Sequence, residues 1–303
     1  MSNRNPHMSM TRLDTAEQLA EANGLTLCYQ TFGAPSDPAL VLIMGLGAQM
    51  VWWEVDLCER LAAQGYWVVR FDNRDIGKSS YISAPPPDLV RVFAGLEALK
   101  APYTLDDMAR DTVGLMDALH IDKAHIVGAS MGGMIAQIVA IQHPERVRTL
   151  TSIMSTTGER GLPGPKPEVW AAMTAPPPLT VDAYIEANVR MAELLRGYSD
   201  AGEDADARAR AARAAARGLN PPGGVRQMAA VGAAGSRKEA LAKVKAPTLV
   251  IHGVDDPLVP VEGGKATAQA IPGAKLTLLE RMGHTLPRAL WPTLIEAIAT
   301  HAR

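Results

Sequence analysis

The sequence predicts an α/β fold in which a mostly parallel sheet is flanked by helices and carries an inserted helical cap. Three observations predict it. Apolar runs such as residues 39–44 are continuous rather than alternating, which is typical of parallel strands covered on both faces. Such runs alternate with helical stretches, so right-handed crossovers would place the strands in one sheet. From residue 157 to about residue 238 the alternation stops, and it then resumes.

The composition favours a soluble globular protein with a small molecule as its partner. The chain has 303 residues, of which 47% are hydrophobic and 20% charged, enough for a sizeable core. A net charge of -2 gives no electrostatic reason to expect nucleic acid or an anionic membrane as a partner. The sequence does not predict an oligomeric state.

The cysteine count and the apolar runs exclude several other classes. Cys28 and Cys58 are too few for a disulfide framework and lack metal-ligand spacing, so we expect no metal and no cofactor. A membrane span needs about 18 consecutive apolar residues, and the chain has no such run. Residues 1–14 lack the apolar centre of a signal peptide. We therefore expect a cytoplasmic protein with a flexible N-terminus at residues 1–15.

The core is predicted in two parts, residues 16–156 and 239–303, on either side of a cap at residues 157–238. The first part has an alternating, antiparallel strand at residues 25–32, then strands at residues 39–44, 66–71 and 147–154 and one leading from Ala124 into a turn. Its helices are expected at residues 51–64, from Thr104 or Asp106 to Leu119, and up to Gln142. The second part has strands at residues 248–252 and 275–279, and helices at residues 261–270 and 291–302.

Within the predicted cap, residues 201–217 are rich in alanine and indicate a helix. Acidic residues stand near its start and four arginines follow, an order that complements the helix dipole: Arg208, Arg210, Arg213 and Arg217. We interpret these arginines as a solvated helix face rather than a phosphate site. The pair Gly223-Gly224, which follows two prolines, is interpreted as a plain loop rather than a hinge.

The stretch Gly128-Ala129-Ser130-Met131-Gly132 indicates a nucleophile between a strand and a helix. In a G-x-S-x-G turn the serine backbone is strained, and the flanking glycines avoid Cβ clashes where strand and helix meet. Such a turn exposes the serine hydroxyl and leaves the Met131 N–H at a helix N-terminus. Gly and Ser are common in turns, so the motif needs an acid and a histidine later in the chain.

The acid is expected directly after the strand at residues 248–252. Asp255 and Asp256 both follow that strand, at the sheet edge where open parallel sheets build their sites. We prefer Asp256, because Pro257 biases the preceding residue toward an extended conformation and so fixes the direction of its carboxylate.

The expected base is His284, in the loop between the last strand and the last helix. Only His284 and His301 follow Asp256, and His301 lies in the terminal helix. A serine hydroxyl is a poor nucleophile at neutral pH, so His284 would take its proton, while Asp256 would hold the imidazole tautomer. The oxyanion would be bound by the N–H groups of Met131 and Leu46, the latter in the glycine-flanked loop after residues 39–44.

These motifs together resemble the α/β-hydrolase fold superfamily. The order Ser130, Asp256, His284 matches, and so does the Met44-Gly45-Leu46 loop, where members often have His-Gly-X. Residues 72–79 resemble the D-x-R-G-x-G-x-S loop of that superfamily, with Asp75 where glycine is more usual. Residues 249–264 and 282–287 are further similar to the aclacinomycin methylesterase group, in which the acid directly precedes the proline.

The resemblance implies a serine carboxylesterase that hydrolyses small to medium apolar carboxylic esters through an acyl-enzyme intermediate. A C–C bond hydrolase, a lactonase or a perhydrolase with the same triad remains an alternative, and so does a small-ligand receptor that turns over slowly. Aromatic and methionine side chains near the turn and in the cap are predicted to line an apolar substrate pocket: Trp52, Trp53, Met134, Trp170, Met173, Met191 and Met228.

Overall fold

The computed structural model describes residues 16–196 and 203–303. The predicted flexible N-terminus, residues 1–15, lies outside the described residues, and so does the predicted start of the arginine-rich helix at residue 201. None of the helices within these two ranges is long and apolar enough to cross a membrane.

The described residues form one sheet of eight strands, in the order β1-β2-β4-β3-β5-β6-β7-β8. The pairs β1–β2 and β2–β4 are antiparallel, and all the others are parallel. The strands are β1 Gln18–Ala22, β2 Leu25–Phe32, β3 Ala39–Ile43, β4 Trp67–Phe71, β5 Ala124–Ala129, β6 Val147–Ile153, β7 Thr248–Gly253 and β8 Lys275–Leu279. The predicted fold class is therefore confirmed, and β1 is a strand that the sequence did not predict.

Helices cover both faces of the sheet, and several more lie between β6 and β7. They are α1 Val55–Ala62, α2 Leu89–Phe93, α3 Leu105–Ala118, α4 Met131–Gln142, α5 Pro167–Met173, α6 Val181–Arg196, α7 Glu203–Arg217, α8 Pro221–Ala233, α9 Lys238–Leu241, α10 Val261–Ala270 and α11 Trp291–His301. We call α5 to α8, which lie between β6 and β7, the inserted helices.

The core has two apolar layers, one on each face of the sheet. Along β3, Val41 and Ile43 contribute to the layer under α3 and α4, whereas Leu40 and Leu42 contribute to the layer under α1 and α11. Successive side chains of a strand point to opposite faces. Because both layers are apolar, the strand has to be apolar at every position, which explains the continuous run in its sequence.

The structure settles two of the predicted helix starts. Thr104, rather than Asp106, caps α3: its hydroxyl accepts from the Asp107 N–H, and the Asp107 side chain accepts from the Thr104 N–H. The helix predicted at residues 51–64 begins instead with a 3-10 turn, Met50–Trp52, and continues as α1 only from Val55.

The arginines of α7 correct the prediction of a solvated helix face. Arg208 pairs with Glu186 at the surface, as predicted. The other three arginines pair with buried carboxylates: Arg210 and the half-exposed Arg213 with Glu54, and Arg217 with Asp72, at 2.7 Å. The side chain of Arg217 is only 8% exposed. These ion pairs join an inserted helix to the loops at the edge of the sheet.

Candidate active site

Ser130 lies on the sharp turn between β5 and α4. Its backbone has φ 57 and ψ -121, a strained conformation for a residue with a side chain. The flanking glycines are required by packing, because a Cβ at Gly128 would lie 2.0 Å from the Gly132 carbonyl oxygen and a Cβ at Gly132 would lie 2.1 Å from the Ile43 carbonyl oxygen. The turn therefore holds Ser130 at the carboxyl edge of the sheet.

Three predicted side chains form a continuous hydrogen-bonded chain at this edge. The Nε2 atom of His284 lies 2.9 Å from Ser130 Oγ, and its Nδ1 atom lies 2.7 Å from Asp256 Oδ2. Asp256 and His284 are both buried. Ser130 and His284 are 154 positions apart in the chain, so it is the fold that brings them together.

Asp256 is fixed and ionised by its surroundings. Its Oδ1 accepts hydrogen bonds from the backbone N–H groups of Leu258 and Val259, at 2.9 and 2.8 Å. Burial alone would raise the pKa of the carboxyl, but the charge of His284, the side chains of His252 and His284, and the Val259 N–H together hold the pKa well below its usual range. The competing acid, Asp255, is exposed.

The C-terminal end of α6 holds the loop that carries His284. The backbone N–H of His284 donates to the Leu195 carbonyl oxygen at 2.6 Å. Gly283 allows this approach, because a Cβ there would lie 2.2 Å from the Leu195 and Arg196 carbonyl oxygens. An inserted helix thus orients the backbone of the histidine.

The two predicted oxyanion donors stand near Ser130. A Cβ at Gly45 would lie 3.1 Å from Ser130 Cβ, so the loop that contains Leu46 passes directly over the serine. Met131 is the first residue of α4, where backbone N–H groups have no partner inside the helix. Within the described residues, the Leu46 N–H has no hydrogen-bond partner either. Neither N–H group therefore has a hydrogen-bond partner within the described residues.

Ser130 and His284 lie in the wall of a cavity of about 1270 Å³ between the core and the inserted helices. Five of the predicted pocket residues line this cavity: Trp52, Met134, Met173, Met191 and Met228. Most of the wall is apolar, and it includes the loop residues Leu46 and Leu286. The cavity is large enough for a drug-sized molecule.

Two predicted pocket residues are not part of the cavity wall, and the structure corrects them. Trp53 is only 1% exposed and packs in the core with Leu57 and Leu61, because it follows a tight turn that directs Trp52 the other way. Trp170 is 40% exposed and outside the wall, because α5 reaches the cavity only at its C-terminal end.

Two groups that touch the candidate site are not predicted from the sequence. One is the Leu195 carbonyl oxygen described above. The other is the side chain of Gln227, which accepts a hydrogen bond from the Gly47 N–H at 2.8 Å. No motif signals either of them, since a backbone carbonyl has no sequence signature and a glutamine in a helix is ordinarily a surface residue.

The chain matches a family model and is similar to known proteins along most of its length. Residues 38–287 match the family model described as alpha/beta hydrolase fold. The chain is 31% identical to the rhodomycin D methylesterase DauP of Streptomyces sp. (strain C5), over 97% of this chain and 98% of that protein. It is 32% identical to the rhodomycin D methylesterase DnrP of Streptomyces peucetius, over 92% of this chain and 95% of that protein.

A solved structure shows the same fold. The meta-cleavage product hydrolase CumD of Pseudomonas fluorescens IP01 aligns with a TM-score of 0.75 and 22% identity, over 94% of this chain and 96% of that one. The resemblance to methylesterases that the sequence motifs predict is confirmed by the two Streptomyces relatives. Because the family model matches most of its length, the chain belongs to the alpha/beta hydrolase fold family.

Proposed function

We propose that the protein is a serine carboxylesterase that hydrolyses apolar carboxylic esters, with Ser130, His284 and Asp256 as its catalytic residues. One observation carries the proposal: the hydrogen-bonded chain from Asp256 through His284 to Ser130, at 2.7 and 2.9 Å, opens into a large apolar cavity. This is the geometry of a nucleophile, its base and the group that orients the base.

In the first half of the reaction, Ser130 Oγ attacks the ester carbonyl carbon and its proton passes to His284 Nε2. Asp256 keeps the other imidazole proton on Nδ1 and stabilises the imidazolium. The carbonyl electron pair moves onto oxygen, where the Leu46 and Met131 N–H groups donate hydrogen bonds. When the tetrahedral intermediate collapses, the C–O bond to the alcohol breaks and His284 returns the proton to the departing alkoxide oxygen.

In the second half, water repeats the attack on the acyl-enzyme. His284 Nε2 takes a proton from the water as its oxygen bonds to the acyl carbon, and the same N–H groups stabilise the second oxyanion. Collapse releases the carboxylic acid, and Ser130 Oγ regains its proton from His284. The cycle balances without an added cofactor.

The cavity and the relatives both support an ester with a substantial acid part. A volume of about 1270 Å³ exceeds what a short acyl chain fills, and the apolar wall favours an apolar group. Two relatives are named methylesterases, which supports a methyl ester as the scissile group. We propose that residues 157–238 act as the cap that selects the acid part, since α6, α7 and α8 supply much of the wall.

The test is a product-identified panel measured with the wild type and with Ser130→Ala. The panel contains methyl and p-nitrophenyl esters of acetic, butyric, benzoic and naphthoic acids, a lactone, and a substrate with a hydrolysable C–C bond. We expect multiple turnover of the larger apolar esters and a loss of at least about 10⁴-fold in Ser130→Ala, with an unchanged circular dichroism spectrum.

Other results would contradict the proposal in identifiable ways. A preference for acetate over all longer acids would contradict the apolar acid part. Faster turnover of the lactone or of the C–C substrate would assign the triad to that reaction. Peracid formation that outpaces hydrolysis when hydrogen peroxide is added would indicate a perhydrolase. Binding of the aromatic acids without any multiple turnover would indicate a ligand receptor.

A further inference from the structure

We propose that Gln227, in inserted helix α8, is a positioning residue that holds the Gly45-Leu46-Gly47 loop and so aims the Leu46 N–H at the oxyanion. The proposal rests on the proposed esterase function, because it assigns the means by which one donor of that reaction is kept in place. It also makes an inserted helix part of what shapes the reaction centre, in addition to its part in the cavity wall.

The key contact joins the insertion to the loop after β3. The Gly47 N–H donates to Gln227 Oε1 at 2.8 Å, between residues 180 positions apart. The other end of the same amide, Nε2, donates to the Arg74 carbonyl oxygen at 2.9 Å in the loop after β4. One side chain therefore joins the loops that follow two neighbouring strands of the sheet.

Within the described residues, the loop itself makes few hydrogen bonds, although the Leu46 side chain packs against the apolar core. It contains two glycines, of which Gly47 has φ +71, so its backbone can adopt many alternatives. Besides the bond to Gln227, the described residues give it one long hydrogen bond, from the Ala48 N–H to the Gly45 carbonyl oxygen at 3.3 Å. Its start is anchored by Asn73, whose Nδ2 donates to the Met44 carbonyl oxygen at 2.9 Å. The Gly47 N–H belongs to the peptide group that directly follows the one carrying the Leu46 N–H. Because Gln227 holds the peptide plane that contains the Gly47 N–H, the adjacent plane that contains the Leu46 N–H is also restricted in its rotation.

Gln227 can serve as a fixed point because it is itself rigidly held. It is fully buried, and the preceding residue, Arg226, forms a two-pronged ion pair with the buried Asp75 carboxylate, at 2.7 and 2.8 Å. The start of α8 also packs against the core, since a Cβ at Gly223 would lie 2.3 Å from the Asp75 carbonyl oxygen. An amide with so little freedom can transmit a fixed geometry to the loop.

Gln227 acts through the loop and not on the substrate. The cavity wall includes Gly224, Val225 and Met228 of the same helix, whereas Gln227 points to the loops beneath. Its loss should therefore weaken binding of the transition state and leave binding of the ground state almost unchanged. This split distinguishes it from a residue that shapes the pocket.

The experiment compares Gln227→Met with a matched control, Gln137→Met. Gln137 is also fully buried and also makes two side-chain hydrogen bonds, to Ser152 and Arg237, but it does not contact the loop. Each variant is measured for kcat and KM per active site, counted by titration with a p-nitrophenyl phosphonate. The inhibition constant of an aryl trifluoromethyl ketone, whose carbonyl becomes an oxyanion when Ser130 adds to it, is measured in parallel.

For Gln227→Met we expect kcat to fall by about 10²-fold, with KM within about threefold of the wild type. The inhibition constant of the ketone should rise by the same factor as kcat falls. Gln137→Met should keep kcat and ketone affinity within about threefold, even where its melting temperature drops. Equal kcat and ketone affinity in the two methionine variants would overturn the proposal.

Two further variants keep the test decisive if Gln227→Met does not fold. Gln227→Asn keeps a buried amide but withdraws it by one C–C bond, about 1.5 Å, and should still lower kcat and ketone affinity by at least about tenfold. Gln227→Glu keeps an oxygen that can accept from the Gly47 N–H and, when its buried carboxyl is protonated, a hydroxyl that can donate to the Arg74 carbonyl oxygen. It should recover part of the kcat that Gln227→Met loses. Wild-type kcat in Gln227→Asn would also overturn the proposal.

Failure of this proposal is distinguishable from failure of the proposed function. If the wild type turns over esters and Ser130→Ala does not, the esterase assignment holds whatever Gln227 does. If Ser130→Ala keeps its activity, the esterase assignment fails, and the positioning role of Gln227 is overturned with it.

Discussion

At the end of β7, two adjacent carboxylates meet different surroundings. Asp256 is buried, accepts two backbone N–H groups on one oxygen and faces His284 Nδ1 with the other. Asp255 is exposed and makes its hydrogen bond through its backbone, whose N–H donates to the Met282 carbonyl oxygen. Only one of the two side chains can therefore orient the histidine.

We expect Asp256→Asn to lower kcat/KM by about 10³- to 10⁴-fold, because an amide facing Nδ1 favours the wrong imidazole tautomer. Asp255→Asn should stay within about threefold of the wild type, since its side chain reaches neither His284 nor Ser130. Steady-state kinetics on one apolar methyl ester measures both. Equal losses in the two variants would mean that the acid has been assigned to the wrong residue.

At the scale of elements, α8 is fastened to the core by a buried ion pair. The Arg226 guanidinium lies 2.7 Å from the Asp75 carboxylate, and both side chains are almost completely buried. Asp75 has φ +72, at a position where the resembling loops more often have glycine. Asp75 therefore has a strained backbone conformation, at a position where its carboxylate can pair with Arg226.

Removing one partner of that pair should be far more harmful than removing both. We expect Arg226→Met to lower the free energy of unfolding by about 3 to 5 kcal/mol, because it leaves Asp75 buried without a counter-charge. Adding Asp75→Asn should recover a large part of the loss. Urea denaturation of the single and double variants measures the coupling.

The exposed ion pair between Arg208 of α7 and Glu186 provides the control for the double-mutant cycle of Arg226 and Asp75. Arg208→Met removes the surface contact with Glu186 and should leave the unfolding midpoint almost unchanged. A loss in Arg208→Met as large as that in Arg226→Met would show that burial of the Asp75 pair is not the cause.

At the scale of the whole molecule, the sequence predicts what local pattern determines. The continuous apolar run of β3, the glycines around Ser130 and the order of the three candidate side chains are all readable along the chain. Contacts between distant segments are not, so Gln227 and the Leu195 carbonyl carry no local signal. The predictions of a solvated Arg217 and of a pocket-lining Trp53 are wrong for the same reason, since a helix or a turn does not by itself reveal which neighbour packs on it.

Weakly apolar or irregular segments also escape prediction. The strand β1 has an exposed leucine and only one fully buried position, so its pattern does not stand out. The sequence predicts a loop at Gly223-Gly224, yet the pair lies in the first turn of α8, where a side chain at Gly223 would clash with the Asp75 carbonyl oxygen. Tertiary packing determines both.

The stability of the whole molecule should decline in mild acid, partly because of one buried histidine in β5. Burial, with the charges of Arg148 and His301, lowers the pKa of His125 to about 4. Between the unfolded value of about 6.5 and that folded value, the unfolded chain binds a proton that the folded chain does not. The free energy of unfolding should therefore fall over this range by up to about 3 kcal/mol as the pH drops.

His125→Gln isolates this contribution, because it removes the titrating ring and leaves every other acid-sensitive group in place. Urea denaturation at pH 7 and at pH 4.5 should show a loss of stability that is smaller by about 2 kcal/mol in the variant than in the wild type. The same loss in both proteins would mean that His125 does not contribute to the acid sensitivity.

The two contacts that the inserted helices make with the site have a consequence for recombination between relatives. Leu195 supplies the carbonyl that holds the His284 backbone, and Gln227 supplies the amide that holds Gly47. A chimera that takes these helices from another hydrolase, to gain its specificity, would lose both supports unless the donor segment places a carbonyl and an amide at the same points. A productive chimera should therefore exchange the inserted helices together with the two loops that they contact. Chimeras that exchange the inserted helices alone should fold but turn over slowly.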